Sequence, residues 1–335
     1  MSTYTAERIA REIIESGKSV PPLPAASQRL MIIARQPIDQ IDVASFSKLV
    51  EGDPALTAKL LQLSNSSFFG TLKAIKGVRQ AITHIGLQET VTSVLSFLFR
   101  EALPQFPKLK KMSGDDYWEH SLGCATANRM LGHPVHAQMT QAVPGELYII
   151  GLLSNIGKIF LAINRPADFE RCLDLAHEQN LPLAEAQKQL FGTTDNEVAY
   201  HVLQHWNLPE TICLTIRHYR SPGAAGKELR GIAALTQLAH YMVNISGIGN
   251  NGDQYPYQIE DSYVFENWMF PQAEKQKQAK VIEDIFKMLE KRAGMMNPDN
   301  DPQEKPEASV PPAKAAAPQN KKKKGMFGKL LSMVK

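Results

Sequence analysis

Cysteine is scarce in this sequence, and no framework of paired cysteines can be built from it. The 335 residues contain only Cys124, Cys172 and Cys213, which lie far apart along the chain. Their spacing matches neither a disulfide framework nor a paired metal-binding motif, and it is typical of a reducing compartment. We therefore expect three small buried hydrophobic side chains in a cytoplasmic protein.

Long apolar runs are also missing from the sequence. The most apolar stretches, residues 91–99 and 147–153, are well short of the ~20 residues that cross a bilayer. Residues 1–18 have no apolar segment of the kind that a secretory signal requires. The sequence thus predicts neither a membrane-spanning helix nor a secretory leader.

The main body of the chain lacks an excess of positive charge. The formal net charge is +3, but residues 318–335 hold six lysines and no acidic residue. Without those six charges, residues 1–317 have a net charge of −3. A mildly acidic body argues against a basic face that binds nucleic acid, so we regard nucleic acid as an unlikely partner.

The positive charge lies instead in a basic C-terminal tail, residues 321–335, which follows a Pro- and Ala-rich stretch at 297–320. That stretch has no periodicity and is predicted to be a disordered linker. In the tail, four lysines precede an amphipathic segment: Lys321, Lys322, Lys323, Lys324, Phe327, Leu330, Leu331 and Val334. This pattern favours peripheral binding to an anionic inner-membrane surface or to a partner protein. Contact with nucleic acid through the lysines remains an alternative.

Helical patterns fill the rest of the chain. Apolar residues recur at helical spacing in short segments that are separated by short loops. Asp42 and the pair Asp53-Pro54 are signals for helix starts, and Gly86 is a signal for a helix end. No strand pattern of useful length is present, so the sequence predicts an all-α fold.

Residues 149–158, which read IIGLLSNIGK, are the most informative stretch. They have the form of the LLHDIGK signature of the metal-dependent HD phosphohydrolases. Ser154 stands where that signature has histidine, and Asn155 stands where it has aspartate.

Residues 20 to about 222 resemble the HDOD domain, a bacterial signalling module related to the HD and HD-GYP phosphohydrolases. The resemblance rests on residues that occur in the family's order. They are Pro22-Leu23-Pro24, Asp53-Pro54-Ala55-Leu56-Thr57, Leu60-Leu61, Leu63-Ser64-Asn65-Ser66, Gln80-Ala81-Ile82, Ile85-Gly86-Leu87, Trp118, His120-Ser121, Gly151-Leu152-Leu153, Ile156-Gly157-Lys158, Glu197, Trp206 and Leu208-Pro209. The resemblance implies two helical lobes and a role in signal transduction or regulation, without an established hydrolase activity.

The predicted organisation follows from this resemblance and from the composition of the flanking segments. The parts are an N-terminal helix at 1–19, an HDOD domain at 20–222 with lobes at 20–103 and 112–222, a C-terminal helical extension at 223–296, the linker and the tail. The charged helix predicted at 274–292 should dock on the body or on a second copy of the chain.

The resemblance also bears on catalysis, because an HD metal site takes histidine and carboxylate ligands from separate helices. His120 matches the first ligand. Ser154 and Asn155 replace the central pair, and His240 stands near the position of the late aspartate. We therefore expect no catalytic residue, no metal, no cofactor and no enzyme activity.

The former cleft is instead predicted to bind a small ligand or a partner peptide. The candidate binding residues are His120, Ser154, Asn155, Lys158 and Asn196. We expect His120 to be half-buried and Lys158 to lie along the surface with its amine in water. Asn155 should hold its turn by hydrogen bonds to the backbone, and Gly157 should supply a tight turn.

A second group of histidines invites a metal interpretation. His201 and His205 are four residues apart on one predicted helix, and His218 follows on the next. No glutamate follows His201 as in a zinc protease, so we favour a packing role. The sequence as a whole predicts a non-catalytic signalling module with an unidentified protein partner. A phosphohydrolase with an altered ligand set and a nucleic-acid-associated regulator are the alternatives.

Overall fold

A computed structural model describes residues 2–15, 20–71, 73–133, 139–253, 262–264 and 275–292. Within these ranges the chain forms α-helices and short 3-10 helices, with no β-strand. The predicted all-α fold is therefore confirmed. The linker at 297–320 and the basic tail at 321–335, including Lys321 to Lys324, lie outside the described residues.

Between residues 78 and 246, most of the helices follow one another with short connections. The first six are α1 (Ser2–Glu15), α2 (Ala25–Ala34), α3 (Val43–Glu51), α4 (Pro54–Ser64), α5 (Val78–Ile85) and α6 (Leu87–Ala102). The next five are α7 (Gly114–Leu131), α8 (Pro144–Leu153), α9 (Ile156–Asn164), α10 (Pro166–Gln179) and α11 (Leu183–Phe191). The last four are α12 (Asp195–His205), α13 (Glu210–His218), α14 (Arg230–Ser246) and α15 (Lys275–Arg292).

The predicted start and stop signals act as expected. Asp53 accepts hydrogen bonds from the backbone N–H groups of Ala55 at 2.9 Å and Leu56 at 3.1 Å, and Pro54 opens α4. Asp42 caps α3 in the same manner. Gly86 ends α5 with a φ of 88°, a left-handed conformation that glycine adopts at little cost. Local sequence therefore accounts for several of the helix limits.

Two hydrophobic cores hold the helices together. The larger core draws side chains from α1 through α13 and Ile232 from α14, so residues on both sides of the segment 103–113 share one packed interior. That segment joins α6 to α7 and coincides with the predicted boundary between the lobes. The smaller core lies between α7, α14 and α15.

The C-terminal helix α15 packs on the body of the same chain. Ile282, Ile285 and Leu289 are buried against α7 and α14. The sequence left open whether this helix docks on the body or on a second copy. The structure places it on the body, where it extends the core beyond α14.

Residues Pro144–Asn164, which comprise α8, the Ser154-Asn155 pair and α9, are long and apolar enough to cross a membrane by length and composition. The shorter apolar run at 147–153 did not predict this, because the apolar character continues through α9. The segment is 89% buried inside the protein over its most apolar window. Such burial is typical of a core helix, and apolar side chains of both α8 and α9 belong to the larger core.

Candidate functional site

The candidate site forms where α7, the junction of α8 with α9, and α14 meet. Helix α7 carries His120 and Cys124, one turn apart on the same face, and α14 carries His240. Gly151 lets α8 approach α7 closely, because a Cβ at this position would lie 2.6 Å from the carbonyl oxygen of Cys124. This close crossing brings Ser154, at the end of α8, to the same place.

These side chains form a continuous chain of polar contacts, here called the histidine–cysteine cluster (His120, Cys124, Ser154 and His240). The sulfur of Cys124 lies 3.3 Å from Nε2 of His120 and 3.5 Å from Nδ1 of His240. Nε2 of His240 lies 2.8 Å from Oγ of Ser154. Two predicted cleft residues, His120 and Ser154, are therefore brought together by two residues that were not among the predicted binding residues.

The hydrogen bonds around the cluster fix the tautomers of both histidines. A carbonyl cannot donate, so Nδ1 of His120 must donate to the carbonyl oxygen of Ile248, 3.3 Å away. The hydroxyl of Ser154 donates to the carbonyl of Gly151 at 2.7 Å, so it accepts from Nε2 of His240. Each ring therefore turns its other nitrogen toward Cys124. When the rings are neutral, both of these nitrogens carry a free electron pair.

Burial keeps the cluster neutral. It lowers the pKa of His120 to about 3 and that of His240 well below its ordinary value, with the nearby cation Lys158 adding to the effect at both. Burial also raises the pKa of the Cys124 thiol above its usual range. At neutral pH the cluster thus holds two neutral imidazoles and one protonated thiol.

The prediction that His120 would be half-buried is wrong, since only 1% of this residue is exposed. Helix α14 and the loop that follows it cover the ring. The loop is tied to α7 by the hydrogen bond from the N–H of Asn250 to the carbonyl of Asp116. The ring of His240, on α14, is covered in turn by Tyr219, which stacks on it with ring centroids 4.4 Å apart.

The prediction for Lys158 is also wrong. Its side chain is 0% exposed, and Nζ donates to the carbonyl oxygen of Asn251 at 2.7 Å. Burial lowers the pKa of Lys158, while the carboxylates of Asp195 and Asp253 act in the opposite direction. The amine therefore points into the interior, because acceptors inside the protein replace water.

Those partners form a second polar group, here called the buried charge group (Lys158, Asp195, Arg220 and Asp253). Arg220 binds the carboxylate of Asp195 through two nitrogens, at 2.8 and 3.2 Å, and approaches Asp253 at 4.0 Å. The side chain of Asp253 also accepts from the N–H of Leu183 at 2.7 Å. The group holds two positive and two negative charges, so its formal charge balances in the interior.

Asn155 and Asn196 differ in how their amides are satisfied. Asn196 donates to the carbonyl of Ile216 and accepts from Arg220, so it supports the buried charge group. Asn155 is 0% exposed, and neither polar atom of its side chain has a hydrogen-bond partner in the described part of the chain. The expected bonds from this amide to the backbone turn are thus not formed.

The prediction that Gly157 supplies a tight turn is wrong. The residue lies inside α9, where the absence of a side chain lets α12 cross at short distance. The three histidines at 201, 205 and 218 do not assemble a metal site either. Within the described ranges, the one grouping of three potential metal ligands is His120, Cys124 and His240.

The arrangement does not fit the ligand set of an HD phosphohydrolase. The position of the bridging carboxylate holds an amide at Asn155, and the hydroxyl of Ser154 is engaged by His240 and Gly151. The carboxylate of Asp195, which lies nearby, is paired with Arg220. No catalytic step through a carboxylate-bridged metal can be derived from these groups.

Sequence reasoning missed Cys124, Tyr219, Arg220 and the buried carboxylates as parts of the site. Cys124 could have been predicted to lie beside His120, because it follows that residue by four positions on a helix and so shares its face. The roles of Arg220 and of the segment from Asn250 to Asp253 could not be predicted, since their partners lie far away along the chain.

Comparison with known proteins indicates the family to which this helical arrangement belongs. Residues 20–222 match the HDOD domain family. A Treponema pallidum protein, named "Uncharacterized protein", is 23% identical over 239 residues, which are 70% of this chain and 44% of that protein. The chain thus spans less than half the length of this curated relative.

Two solved structures share the fold. An HDOD domain protein of unknown function from Geobacter sulfurreducens has a TM-score of 0.66 at 21% identity, over 84% of this chain and 96% of its own. A protein from Marinobacter aquaeolei VT8, named "Putative signal transduction protein", has a TM-score of 0.69 at 20% identity, over 88% of this chain and 66% of its own. The family match covers more than half of the chain, and the helical architecture agrees with it. This chain belongs to the HDOD domain family.

Proposed function

We propose that this protein is a non-catalytic regulatory module that acts by recognising a signalling protein or a small ligand. Its membership of the HDOD family and the signal-transduction name of the Marinobacter protein fit a regulatory role. The non-catalytic part of the proposal rests on the identity of residue 155, which is asparagine. An amide at the position of the bridging carboxylate is a neutral and weak ligand for the divalent metals that HD enzymes use.

The degenerate cleft itself suits a small ligand better than a protein surface. The five predicted binding residues, His120, Ser154, Asn155, Lys158 and Asn196, are all buried. Asn155 presents one donor group and one acceptor without partners, and a buried unsatisfied polar group costs about 1–3 kcal/mol. A small ligand that pairs with this amide would recover that cost. A protein partner would bind the outer surface of the domain.

A turnover assay tests the proposal. The purified full-length chain is incubated with phosphomonoesters and phosphodiesters, including nucleotides, in the presence of Mg²⁺, Mn²⁺, Fe²⁺ or Zn²⁺. We expect no release of product above that of a matched Asn155→Ala variant. Metal-dependent turnover by the native chain that is lost in Asn155→Ala would establish the phosphohydrolase alternative.

The second part of the proposal concerns location. We expect a cytoplasmic protein whose tail, residues 321–335, binds the inner membrane peripherally. Each lysine near an anionic surface contributes on the order of 1 kcal/mol, so four lysines together favour binding by about 4 kcal/mol, or roughly a thousandfold. The full chain should therefore co-sediment with vesicles that contain phosphatidylserine, and this binding should weaken as salt is raised.

The control is a chain that ends at residue 317, which lacks the tail and keeps every described residue. It should remain in the supernatant, as should the full chain mixed with phosphatidylcholine vesicles. Equal sedimentation of both chains would refute a role for the tail. Salt-sensitive binding of the full chain to duplex DNA or RNA, lost in the shorter chain, would favour the nucleic-acid alternative.

A further inference from the structure

The histidine–cysteine cluster contains three side chains of the types that bind transition metals. One ring nitrogen of His120, Sγ of Cys124 and one ring nitrogen of His240 all lie within 4.8 Å of one another. Two come from α7 and one from α14, so the three atoms converge from different directions. All three residues are buried, which excludes the competition with bulk water that weakens surface sites.

The two sulfur–nitrogen distances are close to those of a tetrahedral zinc site. Zinc binds sulfur at about 2.3 Å and histidine nitrogen at about 2.0–2.1 Å, so tetrahedral angles place these ligand atoms about 3.6 Å apart. The observed separations from Cys124 Sγ are 3.3 Å to His120 and 3.5 Å to His240. Shifts of about 0.3 Å or less bring both pairs to the tetrahedral value.

The cluster has two nitrogen–sulfur contacts but only one proton, that of the thiol, to form hydrogen bonds in them. Both histidines turn an unprotonated nitrogen toward Cys124, while the sulfur carries a single proton. A thiol can donate to only one of the two nitrogens, so one electron pair faces sulfur without a proton between them. A cation in the middle satisfies both nitrogens and the sulfur together.

The outer partners have the arrangement that metal sites use. In such sites, the nitrogen that does not bind the metal donates to a carbonyl or another acceptor, which fixes the tautomer and the ring orientation. His120 donates to the carbonyl of Ile248, and His240 donates to Ser154, whose hydroxyl donates to Gly151. Both rings are therefore held in place with the coordinating nitrogen inward.

From this geometry we infer that His120, Cys124 and His240 bind a thiophilic transition-metal ion of the Zn²⁺ class, although the sequence alone predicted no metal. Binding converts the thiol to a thiolate, and its proton is released to solvent. The ligand set has no oxygen donor, which disfavours Mg²⁺, Ca²⁺ and Mn²⁺. The site differs from an HD centre, because Cys124 has no counterpart there and the carboxylate is missing.

The ion would connect two parts of the chain. His120 and Cys124 lie within the family match at 20–222, whereas His240 lies beyond it on α14. Coordination therefore clamps the extension to the HDOD domain at the edge of the smaller core. The inference shares His120 and Ser154 with the proposed binding cleft, but it is tested separately, since binding of an ion and turnover of a phosphoester are separate measurements.

The test uses full-length protein that has been freed of metal with a chelator and dialysed. Zn²⁺ is titrated in and quantified by elemental analysis, and Co²⁺ serves as an optical probe because a cobalt–thiolate bond gives a charge-transfer absorption. We expect one ion per chain, a cobalt–thiolate band, and a melting temperature that rises with Zn²⁺ because the ion binds only the folded state.

Three variants make the test specific. Cys124→Ser should lose the charge-transfer band and the stoichiometric Zn²⁺. Cys172→Ser, an equally buried cysteine whose sulfur faces the carbonyl of Ala186, should keep both. Ser154→Ala, which removes only the outer partner of His240, should weaken the affinity for Zn²⁺ by about 10- to 100-fold.

Two outcomes would overturn the inference. The first is native protein that takes up no stoichiometric Zn²⁺ or Co²⁺, a result that does not depend on the folding of any variant. The second is a folded Cys124→Ser chain, checked by circular dichroism, that binds Zn²⁺ as tightly as the native chain. Zn²⁺ uptake without phosphoester turnover would support both the inference and the proposed function, whereas turnover would refute the latter alone.

Discussion

Replacing Gly157 with alanine is expected to unfold a large fraction of the protein. A Cβ on this residue would lie 1.9 Å from the carbonyl oxygen of Asp195 and 3.0 Å from the backbone nitrogen of Ala199. Both atoms belong to the backbone of α12, so no side-chain rotation can relieve the contact. Helices α9 and α12 would have to move apart by about 1.5 Å in the middle of the larger core, against dense packing.

The expected loss is at least about 4 kcal/mol, beyond the usual range for a single substitution. Domains of this type have about 5–15 kcal/mol of total stability, so the variant should melt at a much lower temperature or aggregate. Chemical denaturation followed by circular dichroism measures this change. The same displacement would shift Asp195 and so disturb its contacts with Arg220.

The matched control is Gly226→Ala. A Cβ on Gly226 meets no atom within 4 Å, and the residue lies in the loop before α14. We expect its free energy of unfolding to stay within about 0.5 kcal/mol of the native value. If Gly157→Ala were as stable as this control, the close crossing of α9 and α12 would be contradicted.

The sequence predicted the helices well because their limits are set locally. The Asp53 carboxylate caps α4 through bonds two and three residues away, and Gly86 ends α5 through its own backbone conformation. These signals need no knowledge of the tertiary fold. The apolar stripe of α15 was predicted for the same reason, since helical periodicity alone identifies the face that is buried.

The candidate site was predicted less well because it depends on distant partners. Lysine is rarely found fully buried, so a surface position was the reasonable expectation for Lys158. The acceptor that reverses this expectation is the carbonyl of Asn251, 93 residues later in the chain. Because every residue has a backbone carbonyl, the residue types do not indicate which carbonyl will accept this hydrogen bond.

Cys124 illustrates a different limit. Its spacing from His120 was visible in the sequence, but two ligand types on one helix do not make a site. The third member, His240, lies 116 residues beyond Cys124, and the orientation of its ring depends on Ser154. The buried face of each helix could be predicted from periodicity. Which faces meet at one place could be seen only in the folded structure.

Replacing Lys158 with methionine should have the second-largest effect on stability. Methionine matches the length of the lysine stem, so the packing is preserved and the charge is lost. The buried charge group would then hold one cation, Arg220, against the carboxylates of Asp195 and Asp253. The carbonyl of Asn251 would also lose its donor. Removing one partner from a buried ionic group costs about 3–5 kcal/mol, and we expect a loss near 3 kcal/mol because the cost of burying the ammonium is regained.

Comparison with two further variants separates charge balance from packing. Lys188→Met removes an exposed lysine that pairs with Glu185, and it should change stability by less than about 0.5 kcal/mol. Combining Lys158→Met with Asp253→Asn restores equal numbers of buried charges, so the double variant should be less destabilised than the sum of the two single changes. If the two effects simply added, or if Lys158→Met were as stable as the native chain, the buried ammonium would not be what balances these carboxylates.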